Sequence, residues 1–232
     1  MNQRVLPQPD VYATCPLDGG VLDYYSRAFE AVYICFNPFI KPAKISPERF
    51  CPDKYPTHAE LLGLCEPVTW DEVMRLCNLP SFAAVDLALK TQIHAVRAEF
   101  RHEGYAKQLD DLYDQGLVMP PTNGEHSPFL FEPVLSIFKE LGHEWAWVGD
   151  EFCTERKLYW IEDLITSDAP PIVGHANVFS PDKSLLWSVH WDSHFTFLCG
   201  SLADLENARV AQRIEGFYCT PATHVYWSVR DA

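Results

Sequence analysis

The residues best suited to carry chemistry lie in one short stretch near the carboxyl-terminal end of the chain. Residues 188–194 read Ser-Val-His-Trp-Asp-Ser-His, so that His190, Asp192 and His194 occupy alternate positions. In an extended strand, alternate side chains point to the same face, and these three would lie within roughly 7 Å of one another. Two imidazoles and one carboxylate form the ligand set of many zinc and non-haem iron sites. The pattern therefore indicates a candidate divalent-metal site, provided that the backbone is extended here.

A fourth residue, His175, lies on the preceding arm of a predicted hairpin. It could supply a further ligand or act as an acid–base group. In the competing interpretation, Asp192 and Ser193 form a tight turn that separates the two histidines. Because a short H-x-D-x-H pattern has many chance matches, a metal-dependent enzyme that uses these residues is the alternative hypothesis and not the leading one.

Other catalytic signatures do not occur in the sequence. It contains neither a G-x-S-x-G nucleophile elbow nor a glycine-rich nucleotide-binding loop. The neighbouring carboxylates Asp150 and Glu151 follow each other directly, whereas a glycosidase needs two carboxylates held at a defined separation. No two of the eight cysteines are close enough for a C-x-x-C zinc or redox motif. We therefore assign no catalytic residue and expect a non-enzymatic protein.

The composition is that of an ordinary globular protein with an acidic surface. Hydrophobic residues make up 47% of the 232 residues, and 32 acidic against 18 basic side chains give a net charge of −14. Such a surface repels phosphate backbones, which argues against nucleic-acid binding. The amino terminus lacks an apolar signal region, and no apolar run approaches the roughly 20 residues that cross a bilayer. We therefore expect a cytoplasmic protein with free thiols that binds no membrane.

The elements that would position these residues fall into two groups along the chain. The first 56 residues look irregular, apart from a buried strand predicted at 31–36. Helical patterns are predicted at 57–65, 69–79, 81–103, 105–115, 131–141, 158–165 and 201–214. Strands are predicted at 144–148, 172–179, 185–190, 194–199, 215–219 and 224–229. The pattern predicts one α+β domain over 1–232, with a helical lobe at 57–142 packed on a mostly antiparallel sheet lobe at 143–232.

The strongest helical signal begins after Ser81. Six apolar residues follow at steps of three and four, and place one stripe toward the core: Phe82, Val85, Leu89, Ile93, Val96 and Phe100. Asp86, Lys90 and Arg97 are predicted to face solvent, and Gly104 to end the helix.

A family resemblance rests on two groups of residues. The segment 66–74, Glu-Pro-Val-Thr-Trp-Asp-Glu-Val-Met, and the carboxyl-terminal pieces at 188–189, 192–193, 196, 214–219 and 227 resemble a bacterial family of unknown function, the YwbB-like group. The resemblance implies a bacterial cytosolic protein without an assigned activity, and it transfers no catalytic residue. Asp192 and Ser193 match the family pattern, whereas His190 and His194 depart from it. This departure argues against a metal site common to the family.

Charge and aromatic content favour a binding protein. The chain has seven tryptophans and ten tyrosines, and exposed aromatic residues are frequent anchors in protein interfaces. An acidic rim around them would select a basic protein partner, and the segment 215–219 with Trp227 is similar to the tails of some small bacterial immunity-type proteins. The leading hypothesis is therefore an inhibitor-like or immunity-like module. A third possibility is a small ligand bound in a pocket between the two lobes.

Overall fold

A computed structural model describes residues 9–231 of the chain. The α-helices are α1 (Val21–Tyr25), α2 (His58–Leu64), α3 (Trp70–Leu76), α4 (Phe82–Gln92), α5 (Glu103–Asp114), α6 (Pro128–Glu140), α7 (Ile161–Thr166), α8 (Leu202–Asn207), α9 (Val210–Arg213) and α10 (Trp227–Asp231). The strands are β1 (Ala31–Phe36), β2 (Phe39–Pro42), β3 (Cys65–Val68), β4 (Trp145–Gly149), β5 (Arg156–Trp160), β6 (Asn177–Phe179), β7 (Leu186–Val189), β8 (Phe195–Gly200) and β9 (Gly216–Tyr218).

A seven-stranded sheet forms the centre of the molecule. Its strand order is β5-β4-β6-β7-β8-β1-β9, every neighbouring pair is antiparallel, and β2 pairs with β3 in a second, two-stranded sheet. The predicted α+β class is therefore confirmed. The strand predicted at 31–36 is confirmed as β1, which lies between β8 and β9.

Helices cover both faces of this sheet. Alternate residues of β1 enter two separate cores: Val32, Ile34 and Phe36 pack with α1, α3, α4, α5 and α10. The intervening residues of β1 pack with α6, α7, α8 and α9. Because both faces are buried, β1 is apolar at every position instead of alternating with polar residues.

Local capping chemistry fixes several helix starts as the sequence predicts. The Thr57 side chain accepts a hydrogen bond from the Glu60 amide, and the Glu60 carboxylate accepts one from the Thr57 amide, which completes a capping box before α2. Thr69 and Ser81 likewise accept amide hydrogen bonds at the starts of α3 and α4. Such caps satisfy amide groups that have no partner within the helix.

The sequence prediction is wrong at several elements; the helix predicted at 201–214, for example, is divided into α8 and α9 by Arg209, which has a left-handed backbone with φ 54°. The helix that starts after Ser81 ends at Gln92, because His94 adopts a left-handed backbone with φ 58°, and Ile93 and Phe100 are exposed instead of buried. The segment predicted as a strand at 224–229 leads into helix α10. The first part of the helix predicted at 158–165 belongs to strand β5, which leaves the indole of Trp160 exposed.

Over residues 9–231, no helix is both long enough and apolar enough to cross a membrane. All eight cysteines, which lie within this range, are free thiols.

Candidate functional site

The metal-site hypothesis requires an extended backbone across residues 188–196, but the chain makes a turn there. β7 ends at Val189 and β8 begins at Phe195. Because Val189 pairs with Thr196, the chain must reverse direction between them, and the Ser193 amide donates a 3.1 Å hydrogen bond to the His190 carbonyl. The extended backbone that would align the two imidazoles and the carboxylate is therefore absent, and the chain instead follows the competing interpretation, a turn between the two histidines.

His190 uses both ring nitrogens to hold this turn. Its Nε2 lies 3.2 Å from the Leu17 carbonyl oxygen, which can only accept, so Nε2 carries the proton. Its Nδ1 accepts hydrogen bonds from the Asp192 amide at 3.2 Å and from the Ser193 hydroxyl at 3.4 Å. Burial lowers the pKa of His190 to about 4. The ring is therefore neutral near pH 7, and the hydrogen bonds of its two nitrogens indicate a structural role.

The other three predicted ligands have separate surroundings. Burial, followed by the charge of Lys90, lowers the pKa of the buried His194 to about 3. Asp192 accepts a hydrogen bond from the Tyr226 hydroxyl at 3.4 Å, and His175 lies 3.5 Å from Glu151. Between residues 9 and 231, no group of three or more His, Cys, Asp or Glu side chains is arranged to hold a metal ion. The geometry thus gives no support to the predicted metal site.

A buried ion pair lies behind the turn, where the sequence predicted solvent-facing charges. Asp86 and Lys90, one turn apart on α4, are both 0% exposed, and Lys90 Nζ lies 2.6 Å from Asp86 Oδ2. The ammonium group also lies 5.1 Å from the ring centroid of Phe195 and 5.2 Å from that of Tyr226. Helix α10 packs across α4, so the face that the pattern assigned to solvent is covered. A buried charge is tolerated only when it is paired.

The turn also clamps a neighbouring loop, residues 122–126. The Gly124 amide donates a 2.9 Å hydrogen bond to the Ser193 carbonyl. Gly124 has φ +63°, and a Cβ atom built on it would lie 2.4 Å from the Trp191 carbonyl oxygen, so only glycine fits here. Fully buried Asn37 completes this set of contacts, which we call the clamp. Its backbone N–H donates a hydrogen bond to the His194 carbonyl, and its side-chain Nδ2 donates to the carbonyls of residues 122 and 125. The predicted site residues therefore support this loop.

A cavity of about 290 Å³ lies on the other side of the 122–126 loop. Its wall comes from three segments that are distant in sequence: residues 55–61 around the start of α2, the loop with the start of α6, and residues 168–173 after α7. The polar side chains in this wall are Tyr55, Thr57, His58, Thr122, Glu125, His126 and Asp168. We name this space the α2–α6 cavity.

His126, which belongs to the wall of the α2–α6 cavity, has a buried acceptor atom without a partner among the described residues. Its side chain is 5% exposed, and its Nε2 lies 2.8 Å from the Ala176 carbonyl oxygen. Since a carbonyl only accepts, Nε2 carries the proton and Nδ1 keeps its lone pair. Nδ1 is buried and has no hydrogen-bond partner among the described residues. Burial lowers the pKa of His126 to about 4, so the ring is neutral and remains an acceptor near pH 7.

Two further buried atoms at this cavity lack a partner in the described part of the chain: His58 Nε2 and Thr122 Oγ1. Burial lowers the pKa of His58, while burial, followed by the charge of Glu125, raises the pKa of Tyr55 to about 12. The sequence analysis missed these cavity residues because they come from separate segments and are not related by a regular spacing along the chain. The one available signal was the isolated His126 between Gly124 and Pro128, a loop rich in helix-breaking residues.

The segment behind the family resemblance has a structural role. The Glu215 carboxylate accepts hydrogen bonds from the amides of Trp70 at 2.6 Å and Asp71 at 2.9 Å, at the start of α3. The Trp70 indole donates to the Asn37 carbonyl at 2.7 Å and stacks on Phe36, with the ring centroids 4.1 Å apart. These contacts tie α3 to the sheet and to the clamp beside the cavity.

The fold and cavity define an α+β protein with helices on both faces of a seven-stranded antiparallel sheet and a small cavity lined by polar and apolar residues. The chain belongs to the family described as protein of unknown function (DUF2711), whose sequence model matches residues 18–229.

A curated relative supports this assignment. The chain is 31% identical over 108 residues to the uncharacterised protein YwbB of Bacillus subtilis (strain 168). The match covers 43% of this chain and 46% of the relative, so it spans less than half of that protein's length. The predicted resemblance to an uncharacterised family is confirmed. No solved structure matches the chain.

Proposed function

We propose that the protein binds a small organic ligand in the α2–α6 cavity. The supporting observation is that three residues of its wall, His58, Thr122 and His126, each carry a buried polar atom that has no partner within residues 9–231. In folded proteins more than about 90% of such groups are satisfied, and each unsatisfied one costs about 1–3 kcal/mol. A ligand that hydrogen-bonds to these atoms would recover that free energy on binding.

The size and rigidity of the cavity fit this role. Its volume of about 290 Å³ lies at the lower end of the roughly 300–1,000 Å³ typical of ligand pockets, so the ligand is small. The Asn37 side chain donates hydrogen bonds to carbonyls of the 122–126 loop, and the Gly124 amide donates one to the Ser193 carbonyl. These hydrogen bonds fix one wall of the cavity in the absence of a ligand. A preformed wall reduces the entropy lost on binding.

A fragment screen on ¹⁵N-labelled protein tests the proposal. Ala169 lies exposed at the rim of the cavity, so Ala169→Trp should obstruct the entrance without entering the core. Ala222 is also exposed but does not line the cavity, and Ala222→Trp is the matched control. We expect fragments that shift the amide resonances of residues 122–126 and lose binding only in Ala169→Trp. A screen without such fragments, or binding that persists unchanged in Ala169→Trp, would refute the proposal.

A second candidate function is the binding of a basic protein partner through one sheet edge. β5 is an edge strand. Trp160 at its end and its cross-strand neighbour Trp145 are 49% and 45% exposed, with stacked rings 6.0 Å apart. Paired exposed tryptophans are typical interface anchors, and an edge strand can accept a further strand. The net charge of −14 favours a cationic partner.

Affinity purification with matched variants tests this second candidate. The double variant Trp145→Ser/Trp160→Ser removes the pair, and Trp191→Ser removes a tryptophan outside this pair that is 48% exposed. We expect a basic protein that the wild type and Trp191→Ser retain but the double variant loses. Equal retention by all three proteins would rule out the paired tryptophans as the anchor.

A further inference from the structure

Charge and hydrogen-bonding capacity restrict the ligand of the α2–α6 cavity further than its volume does. Two carboxylates, Glu125 and Asp168, belong to its wall, and of the described residues that line it none is lysine or arginine. The charge of Asp168 acts on the His58 ring, and that of Glu125 acts on the Tyr55 hydroxyl. Both carboxylates therefore lie close enough to set a negative potential at the cavity, which favours a cation over an anion.

The buried acceptor on His126 points to the same kind of ligand. Because its Nε2–H is used by the Ala176 carbonyl, the remaining Nδ1 can only accept, and it requires an N–H or O–H donor from the ligand. A carboxylate or phosphate would offer this atom only acceptor oxygens. An ammonium or guanidinium group has donors and no acceptor.

The wall also argues for an organic cation instead of a bare metal ion. Apolar side chains of Leu61, Phe131 and Ile172 share the lining with the polar ones, and they suit a short hydrocarbon body. Within the described part of the chain, the His and carboxylate groups form no cluster of three that could hold a metal.

We infer that the α2–α6 cavity takes a small organic cation, a primary ammonium or a guanidinium on a short carbon chain. The N–H donors bind the imidazole of His126, and the positive charge lies near the carboxylates of Glu125 and Asp168. This inference rests on the proposed small-ligand function and specifies the chemical class of the ligand.

Four probes with the same four-carbon chain test the class: butylammonium, butylguanidinium, 1-butanol and butyrate. Each is titrated into ¹⁵N-labelled protein at pH 7, and the resonances of residues 122–126 are followed. We expect both cations to bind at least about tenfold more tightly than butanol, equivalent to about 1.4 kcal/mol. Butyrate should leave these resonances unchanged. Added salt should weaken cation binding, since it screens the carboxylates.

Variants separate the charge effect from loss of the fold. Glu125→Gln/Asp168→Asn keeps the shape of the wall and should remove the preference for cations over butanol. Glu206→Gln changes an exposed carboxylate outside the cavity and should retain the wild-type preference. An unchanged preference in the double variant would overturn the inference.

The probe series also distinguishes failure of this inference from failure of the proposed function. Equal binding of butanol and the cations, or tighter binding of butyrate, overturns the cation assignment while the cavity remains a ligand site. If none of the four probes shifts residues 122–126, the cation assignment fails, and the fragment screen alone then decides whether the cavity binds any ligand.

Discussion

Replacing Lys90 with methionine should destabilise the fold strongly. The change keeps the unbranched apolar stem of the side chain but removes the ammonium group, which lies 2.6 Å from Asp86 and within 5.2 Å of the ring centroids of Phe195 and Tyr226. Asp86 would remain buried with no opposite charge at hydrogen-bond distance. Its Oδ1 already has no partner among residues 9–231, so the carboxylate has little to replace the lost contact.

The magnitude follows from the burial of both partners. Removing one member of a buried ion pair typically costs about 3–5 kcal/mol, because the other charge remains uncompensated. Loss of the two cation–aromatic contacts adds about 0.5–2 kcal/mol for each at buried sites. For a chain of this length, about 1 kcal/mol corresponds to roughly 2–4 °C in Tm. The ion-pair contribution alone should therefore lower the Tm by roughly 6–20 °C.

Urea unfolding followed by circular dichroism gives the free energy of unfolding of the wild type and of Lys90→Met. The matched variant is Asp86→Leu/Lys90→Met, which removes both charges at once. Replacing a whole buried pair with apolar side chains is often neutral or stabilises by about 1–4 kcal/mol. We therefore expect the double variant to recover most of the stability lost in the single variant.

The prediction is refuted if Lys90→Met loses less than about 1 kcal/mol, the upper limit typical of an exposed ion pair, or if the double variant is no more stable than the single one.

Three further predictions concern the clamp and the buried titratable groups. Gly124→Ala should destabilise by about 1–3 kcal/mol because its positive φ and the nearby carbonyl exclude a Cβ atom. Gly63→Ala, in α2 and with open space around it, should be neutral or stabilising by up to about 1 kcal/mol in the same urea titration. The pKa values of His126 and His194 are about 4 and about 3 in the folded chain, against an ordinary value of about 6.5. At pH values between the folded and the ordinary pKa, these two histidines bind more protons in the unfolded chain than in the folded chain. Stability should therefore be fully present above about pH 6.5 and fall toward pH 4, by at most about 1.4 kcal/mol per pH unit for each ring. Denaturation midpoints at pH 7, 6 and 5 check this direction, and a flat profile would contradict it. Glu215→Gln should lower the Tm through a loss of about 1 kcal/mol, because a charged acceptor for two amides at the start of α3 becomes neutral.

The sequence predicts helix starts and the central strand well, because interactions between residues close together in the chain determine them. The capping residues Thr57, Thr69 and Ser81 begin their helices as expected, because a cap needs only amides three residues away. The uninterrupted apolar run at 31–36 is the central strand β1, since burial on both faces leaves no position for a polar side chain. The family resemblance also rests on the sequence itself.

Tertiary contacts decide what the local pattern leaves open. Asp86 and Lys90 carry charges that predict an exposed helix face, yet helix α10 covers that face and the two charges neutralise each other. His190 and His194 have the spacing of a shared strand face, but pairing of β7 with β8 forces a turn between them. A period of two implies a common face only while the backbone stays extended.

The sequence by itself determined the class of fold, the net negative charge and the family, because composition, periodicity and capping can be read from residues that are close together in the chain. The α2–α6 cavity was decided only by the tertiary structure. His58, Thr122 and Asp168 stand on separate segments, and no spacing along the chain relates them. Hydrogen bonds from Asn37 and the close approach permitted by Gly124 fix the loop between them, and those contacts join residues that lie far apart in the sequence.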